Sequence, residues 1–378
     1  MTNSGLMRVR TLSSVSRRDV MKGAVALGGL AATGLTSRHA QAAGAVSMFG
    51  WQDYDAGLRV GDFLQREGIE VAFTPIGNND EIISRLSAGG AGQIDIVTPY
   101  MGYIPFMVAA DLLEPVDESK VPNLAKVPEV FRNDSNVIVN GTRYSVPFTW
   151  GSGPMAYDPA AIPTAPESWM DIFKPEYKGK VGMMDDPIGN QMLAAILATD
   201  AEVPTMLTQD QLAQATDFLI KLKKEQVRQL AVSWGELANA LARNEVVITF
   251  SGGEFLKKFA GDAGKKIEFT YPKEGTFAWL DSYCFAKGAP NLEAAHKCAN
   301  QALDVEGQVA FGEKTFQAIV IPEAIEKLKP ETRSLYPYDN LGEFEQKAKF
   351  FPMPPLEPDG KHASYADWQA AYQKFKAA

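Results

Sequence analysis

The adjacent carboxylates Asp185 and Asp186 are the residues whose type and spacing could support acid–base chemistry. Asp185 ends the predicted strand Val181–Asp185, and Asp186 follows it, before the predicted helix Asn190–Thr199. A single pair of aspartates is weak support for catalysis, because an aspartate at the end of a strand also caps the helix that follows. Both interpretations stay open, and capping is the simpler one.

Motifs of the common enzyme classes are missing. No Gly-x-Gly-x-x-Gly follows a strand, and the chain has no Gly-x-x-x-x-Gly-Lys, Gly-x-Ser-x-Gly or His-Glu-x-x-His segment. His296 and His362 have no Ser or Cys partner in a motif, and two cysteines with three histidines do not predict a zinc site. We therefore expect a protein that is not an enzyme and that carries neither cofactor nor metal.

Polar and aromatic residues follow the predicted strands near the N-terminus. The first predicted elements alternate between strand and helix: Val46–Trp51, Leu58–Glu67, Ile69–Pro75, Asn78–Ala88 and Ile94–Thr98. This order predicts a parallel sheet covered by helices, whose ligands bind at the carboxyl ends of the strands. Trp51, Gln52 and Tyr100 follow two of these strands, so we place them in a binding cleft.

A second α/β region follows, without repeats or a long linker. Beyond residues 181–199, its predicted elements are Gln209–Glu225, Trp234–Arg243, Val246–Phe250, Ala278–Phe285 and Leu292–Val305. Because a single core rarely grows past about 250–300 residues, a chain of 378 residues predicts two lobes. Because strands and helices alternate in both regions, the predicted fold class is α/β.

The charge balance excludes two classes of partner. Residues 1–42 hold six of the 37 basic and one of the 46 acidic residues, so the rest of the chain has a net charge of −14. A nucleic-acid-binding protein, or one held on anionic lipid, would show the opposite balance. An acidic protein of this kind suits a small cationic ligand.

The N-terminus is predicted to be a cleaved export signal. Arg17-Arg18 precedes the apolar run Gly23–Leu35, and Ala40-Gln41-Ala42 supplies a cleavage site. The pattern resembles a twin-arginine (Tat) signal. The run is too short to span about 30 Å of hydrocarbon, which argues against a membrane anchor. We expect residues 1–42 to be removed and the product to be periplasmic. In that compartment Cys284 and Cys298 form either a disulfide or two buried thiols.

Five segments together resemble a known family, the periplasmic solute-binding proteins of ABC importers, and within it the spermidine/putrescine (polyamine) branch. The segments are FGWQDY (Phe49–Tyr54), IDIVTPYMGY (Ile94–Tyr103), YSVPFTWGSGPMAYD (Tyr144–Asp158), ESWMDIFKPEYKGKVGMMDD (Glu167–Asp186) and YPKEGTFAWLDS (Tyr271–Ser282).

The resemblance implies a two-lobed periplasmic-binding-protein fold of type II, in which each lobe is a sheet flanked by helices and the ligand cleft lies between the lobes. It implies lobe 1 over 44–149 plus 281–325 and lobe 2 over 150–280 plus 326–378. The chain would cross between the lobes near Phe148–Trp150, Leu280 and Glu323–Leu328. We expect a monomer that binds a small cationic amine and meets an ABC permease of the inner membrane.

The resemblance also assigns candidate ligand contacts. Trp279 and Asp281 match an aromatic-x-carboxylate pair that stacks on the ligand and takes an ammonium, and Phe250 stands where the family often has Trp. The full set is Trp51, Gln52, Tyr54, Tyr100, Asp186, Phe250, Trp279 and Asp281. Trp234 and Glu236, which begin a helix, are further candidates. A second acid of the family is replaced by Gly189, which leaves open what binds a second ammonium.

Three other functions remain open. The first is transport of a monocationic or zwitterionic amine, either choline- or betaine-like or an aminoalkyl phosphonate or carboxylate. The phosphonate and carboxylate would need a cation in the cleft, for which Arg143 and Arg243 are candidates. The second is an exported cofactor-containing enzyme, whose cofactor would give the purified protein an absorbance band. The third is a sensor that uses the same clamp to report ligand to a receptor.

Overall fold

The computed structural model of this protein describes residues 45–134 and 136–378, and the predicted signal, residues 1–42, lies outside them. The strands of the described residues are β1 (Ala45–Gly50), β2 (Glu70–Pro75), β3 (Ile96–Val97), β4 (Leu113–Glu114), β5 (Ile138–Val139), β6 (Thr142–Arg143), β7 (Val146–Ser152), β8 (Met155–Tyr157), β9 (Val181–Met184), β10 (Val227–Ala231), β11 (Ile248–Phe250), β12 (Glu268–Thr270), β13 (Thr276–Ala286), β14 (Ala318–Ile319) and β15 (Ala348–Phe350).

Helices connect and cover these strands. The α-helices of the described residues are α1 (Phe63–Glu67), α2 (Asn79–Arg85), α3 (Ile104–Ala109), α4 (Glu129–Arg132), α5 (Pro187–Ala198), α6 (Gln209–Glu225), α7 (Trp234–Ala242), α8 (Leu256–Asp262), α9 (Leu292–Ala302), α10 (Val305–Thr315), α11 (Pro322–Ile325), α12 (Pro330–Arg333), α13 (Leu341–Lys347) and α14 (Tyr365–Ala377). Several begin with side-chain caps. Thr208 and Gln211 form a capping box at α6, and Ser364 and Asp367 form one at α14.

The larger sheet carries the parallel strands predicted near the N-terminus. Its order is β14-β7-β13-β3-β1-β2, and β4 and β15 also pair with β13. Strand β1 pairs in parallel with β2 and with β3, with Met48 opposite Ile96. The carboxyl ends of β1, β2 and β3 therefore meet at one edge of the sheet, as the alternation of strands and helices predicts.

The smaller sheet has the order β10-β9-β11-β8-β12. Strand β9 is parallel to β10 and β11, so the carboxyl ends of these three strands also share an edge. The chain leaves the larger sheet after Ser152 and returns to it at Thr276. The described residues pack as one compact unit that contains these two sheets and a third, two-stranded one formed by β5 and β6.

Two predicted helices differ from the observed ones. The predicted helix Leu58–Glu67 is interrupted, because Gly61 has a left-handed backbone (φ +63°) and only Phe63–Glu67 is α-helical. The predicted helix Leu292–Val305 ends at Ala302, and Val305 is already the first residue of the next helix, α10. Asp304 caps α10 by accepting a hydrogen bond from the backbone N–H of Glu306.

Cys284 and Cys298 are buried free thiols, so the structure has no disulfide between them. His296 is structural: its Nε2 accepts a hydrogen bond from the backbone N–H of Asp117 (3.0 Å), and its ring packs on Phe285. Over the residues with described coordinates, no helix combines the length and apolar character needed to cross a bilayer.

Candidate functional site

A cavity of about 640 Å³ lies where the strand ends of the two sheets meet. Its walls come from the segments that follow β1, β2 and β3 of the larger sheet and β9, β10 and β11 of the smaller one, together with side chains of β13. Both sheets therefore contribute to the cavity through the carboxyl ends of their parallel strands, which is where ligands of open α/β sheets bind.

Seven of the eight predicted ligand contacts line this cavity. They are Trp51, Gln52, Tyr54, Tyr100, Asp186, Trp279 and Asp281. The loop after β1 supplies the first three, and β13 supplies the last two from alternate positions on one face of the strand. An isolated backbone bridge between Tyr100 and Asp281 brings the end of β3 beside β13.

Phe250 lies apart from the other seven. It is fully buried, and its ring packs edge-on against Trp169, with ring centres 5.5 Å apart. It is the last residue of β11 and faces the core, and the chain reaches the cavity only at the next two residues, Ser251 and Gly252. The structure therefore places Phe250 in core packing, and we do not keep it among the proposed ligand contacts.

Asp281 is a buried carboxylate on the cavity wall. The Tyr54 hydroxyl donates a hydrogen bond of 2.6 Å to its Oδ2. Burial raises the pKa of Asp281 to about 7, and the hydrogen bond from Tyr54 offsets part of that rise. A positive charge bound nearby would therefore favour the ionised form of Asp281.

Asp186 caps helix α5. Its Oδ1 accepts hydrogen bonds from the backbone N–H groups of Ile188 (3.2 Å) and Gly189 (3.1 Å), which confirms the capping interpretation. Burial raises the pKa of Asp186 to about 6, although these two hydrogen bonds lower it. A Cβ at Gly189 would lie 2.1 Å from Oδ2 of Asp186, so glycine leaves the space that this carboxylate fills.

Negatively charged side chains dominate the cavity wall. The described residues that line it include five aspartates and no Lys, Arg or His; the aspartates are Asp53, Asp80, Asp185, Asp186 and Asp281. Lys376 Nζ lies 2.5 Å from Asp185, and Lys314 Nζ lies 4.0 Å from Asp53. Across residues 45–134 and 136–378, no basic nitrogen lies within 4.0 Å of the carboxylates of the other three.

Aromatic side chains form much of the remaining wall. The cavity-lining aromatic residues are Trp51, Tyr54, Tyr100, Tyr103, Trp234, Phe255, Phe259, Phe277 and Trp279. The indole Nε1 of Trp279 donates a hydrogen bond to the backbone oxygen of Ser152 (3.3 Å), and its ring lies against Gly151, where a Cβ would come within 2.3 Å. This ring is therefore held in place, and aromatic faces attract cations.

The sequence identified only part of the cavity. Trp234 lines it as proposed, whereas Glu236 instead accepts hydrogen bonds from the Gln229 side chain and the Val232 backbone N–H. Asp80 and Gln317 line the cavity and were missed. Asp80 follows β2, so the strand-end rule that selected Trp51 and Tyr100 would also have selected this segment.

The two arginines considered as partners for an anionic ligand lie elsewhere. Arg143 is buried and pairs with Glu118 (3.0 Å), and Arg243 is exposed and pairs with Glu245 (2.9 Å). Neither lines the cavity. A phosphonate or carboxylate group would therefore find no basic side chain among the described residues of the wall.

Two main sheets flanked by helices, with a cavity at the carboxyl ends of their parallel strands, define the type II periplasmic-binding-protein fold. Residues 59–334 match the family described as bacterial extracellular solute-binding protein, and the chain belongs to this family. It is 27% identical over 303 residues to the spermidine/putrescine-binding periplasmic protein of Escherichia coli (strain K12), which covers 78% of this chain and 82% of that protein.

Two further comparisons agree. The chain is 25% identical over 336 residues to the putrescine-binding periplasmic protein PotF of the same organism, which covers 82% of this chain and 86% of PotF. Its fold is similar to the crystal structure of the substrate-binding protein PotD from Streptococcus pneumoniae strain Canada MDR_19A, with a TM-score of 0.68, 21% identity, and coverage of 88% of this chain and 99% of that chain.

Proposed function

We propose that this protein binds a polyamine such as putrescine or spermidine in its cavity and delivers it to an ABC permease of the inner membrane. The observation that carries this proposal is the charge of the cavity: three carboxylates without a basic partner, and no basic side chain among the described lining residues. The names of the relatives that cover most of this chain support the same ligand class.

The cavity meets the physical needs of a flexible dication. A buried ammonium has to be paired and hydrogen-bonded, since an unpaired buried charge costs several kcal/mol. Asp281, with Tyr54 beside it, offers such a partner. A tryptophan face such as that of Trp279 adds roughly 0.5–2 kcal/mol of cation–π attraction and covers the methylene chain.

A choline- or betaine-like ligand is the second candidate, favoured by the many aromatic side chains in the wall. Such a ligand has a single positive charge, and it would leave two of the three unpaired carboxylates without a counter-charge. A phosphonate or carboxylate would add negative charge to an acidic wall. The charge balance therefore favours a ligand with two or more ammonium groups.

A ligand screen tests the proposal. Residues 43–378 are unfolded, refolded to remove bound ligand, and heated with putrescine, cadaverine, spermidine, choline, glycine betaine or aminoethylphosphonate. A ligand at 100 times its Kd adds about 2.7 kcal/mol to the free energy of unfolding, so we expect Tm to rise by a few degrees with the diamines or spermidine. A rise with choline or betaine alone would contradict the polyamine assignment but keep the binding role.

We also propose that residues 1–42 direct export through the twin-arginine pathway, so that the protein works in the periplasm. Cell fractionation of a bacterium expressing the full chain tests this. Wild type should appear in the periplasm shortened by about 42 residues, and replacing Arg17 and Arg18 together with lysine should leave the uncut chain in the cytoplasm. Unchanged export of the double variant would contradict a twin-arginine signal.

Ligand transfer to a permease implies closure of the cavity around the ligand. For this movement we propose the two lobes 44–149 plus 281–325 and 150–280 plus 326–378, which contact the ligand from opposite sides. A ligand that touches both lobes stabilises the closed state by its differential affinity for that state.

A further inference from the structure

Asp80 is a cavity-lining carboxylate whose role the resemblance does not supply. It lies in the first turn of α2, but it does not cap this helix, because the side chain of Asn78 accepts the hydrogen bond from the Glu81 backbone N–H (3.1 Å). Asn79 is also engaged, since its Oδ1 accepts a hydrogen bond from the Tyr100 backbone N–H (2.9 Å). The segment is thereby fixed at the end of β3, and the Asp80 carboxylate is left to face the cavity.

Two neutral donors from a distant helix hold this carboxylate. The Tyr365 hydroxyl donates to Oδ1 of Asp80, and Nε2 of Gln369 donates to Oδ2 (3.1 Å) and also lies 2.8 Å from the Tyr365 hydroxyl. Both donors belong to α14, which packs on α5 and α6. Asp80 follows β2 of the larger sheet, whereas α6 packs on β10 of the smaller one, so these bonds join the two sides of the cavity.

The donors orient the carboxylate without neutralising it. A tyrosine hydroxyl and a carboxamide carry no charge, and no Lys, Arg or His of the described residues forms an ion pair with Asp80. Asp186 lies close enough that, after burial itself, the charge of Asp80 adds to the rise in the pKa of Asp186. Both carboxylates line the cavity, and a cation bound between two like charges relieves their mutual repulsion.

Resting on the polyamine function proposed above, we propose that Asp80 binds the second ammonium group of the ligand, opposite the end held by Asp281, and that Tyr365 and Gln369 position it. In this assignment Asp80 provides the acid that Gly189 cannot. Asp186, whose Oδ1 already accepts two backbone N–H groups, completes the same end of the site. Asp80 then determines the preference for dications over monocations of the same length.

The test compares one dication with one monocation. Dissociation constants for putrescine and for 1-aminobutane are measured by calorimetry, directly and by competition, on wild type, Asp80→Asn and the control Asp62→Asn. Asp62 is an exposed aspartate of the same chain, and its change removes the same charge. We expect Asp80→Asn to weaken putrescine binding by about 10-fold or more, the loss of one charge-assisted partner, and to change 1-aminobutane binding by less than about 2-fold.

Two further variants separate positioning from folding. Asp80→Glu keeps the charge and should retain the preference for putrescine, whereas Tyr365→Phe removes one donor and should lower that preference by less than Asp80→Asn does. A melting curve for each variant shows whether it is folded. Equal losses for both amines in Asp80→Asn, or no loss for either, would overturn the assignment of Asp80 alone. Wild-type protein that binds neither putrescine, cadaverine nor spermidine would instead overturn the polyamine function and this assignment with it.

Discussion

Asp281→Asn is expected to weaken putrescine binding by about 100-fold or more, because removing one member of a buried charge pair costs roughly 3–5 kcal/mol. The change keeps the size of the side chain and an oxygen that can accept the hydrogen bond from Tyr54. It also removes a buried charge from the unliganded protein, so we expect Tm without ligand to stay the same or rise. Calorimetric titration and a melting curve on the same sample measure both effects.

Asp217→Asn is the matched control for Asp281→Asn. Asp217 lies on α6 with an exposed side chain near Lys374, so its loss changes the net charge equally without touching the cavity. We expect its putrescine affinity to stay within about 2-fold of wild type, as is usual for exposed ion pairs. If Asp281→Asn bound putrescine as tightly as this control, Asp281 would not be a ligand contact.

Binding is expected to strengthen steeply as the pH rises from 5 to 8. Burial raises the pKa of Asp281 to about 7 and that of Asp186 to about 6, so both are mostly protonated at pH 5. The amines of the ligand stay charged throughout, and a bound ammonium favours the ionised carboxylates. For Asp281 alone, the proton released on binding makes putrescine affinity up to about 100-fold lower at pH 5 than at pH 8. Titrations at half-unit steps of pH measure the slope.

The Asp281→Asn variant is also the control for this pH dependence. It cannot lose a proton at position 281, so the change in putrescine affinity near pH 7 should disappear. A weaker change in affinity near pH 6, caused by Asp186, should remain. A flat profile in wild type would mean that the cavity carboxylates do not titrate on binding. An unchanged step near pH 7 in the variant would assign that step to another group.

Local sequence patterns predicted most of what depends on neighbouring residues. Strand and helix alternation placed β1, β2 and β3 in a parallel sheet, and it selected Trp51 and Tyr100 because they follow strands. A lone glycine was harder to interpret: Gly61 has a left-handed backbone, and the α-helix predicted to begin at Leu58 begins only at Phe63. Local patterns also failed at Phe250. This residue is buried in the core, whereas the next one, Ser251, lines the cavity.

Contacts between distant parts of the chain could not be predicted in this way. Asp80 meets Tyr365 and Gln369 although 285 and 289 positions separate them. Nothing in a local pattern tells which helix packs beside the end of β2. The resemblance indicated the family and proposed ligand contacts within its motifs, and seven of those eight residues line the cavity. It marked the missing acid at Gly189 but did not point to Asp80.

The acidic wall also bears on how fast the protein captures its ligand. Three lining aspartates have no basic partner among the described residues, and the described wall has no basic side chain, so we expect the cavity to have a negative potential. A polyamine would be drawn along this field, so its association rate should exceed that of a neutral molecule of equal size and should fall as salt screens the field over about 10 Å at 0.1 M. At low ionic strength the protein should therefore bind a cationic ligand fastest, and a salt-rich medium should slow this association.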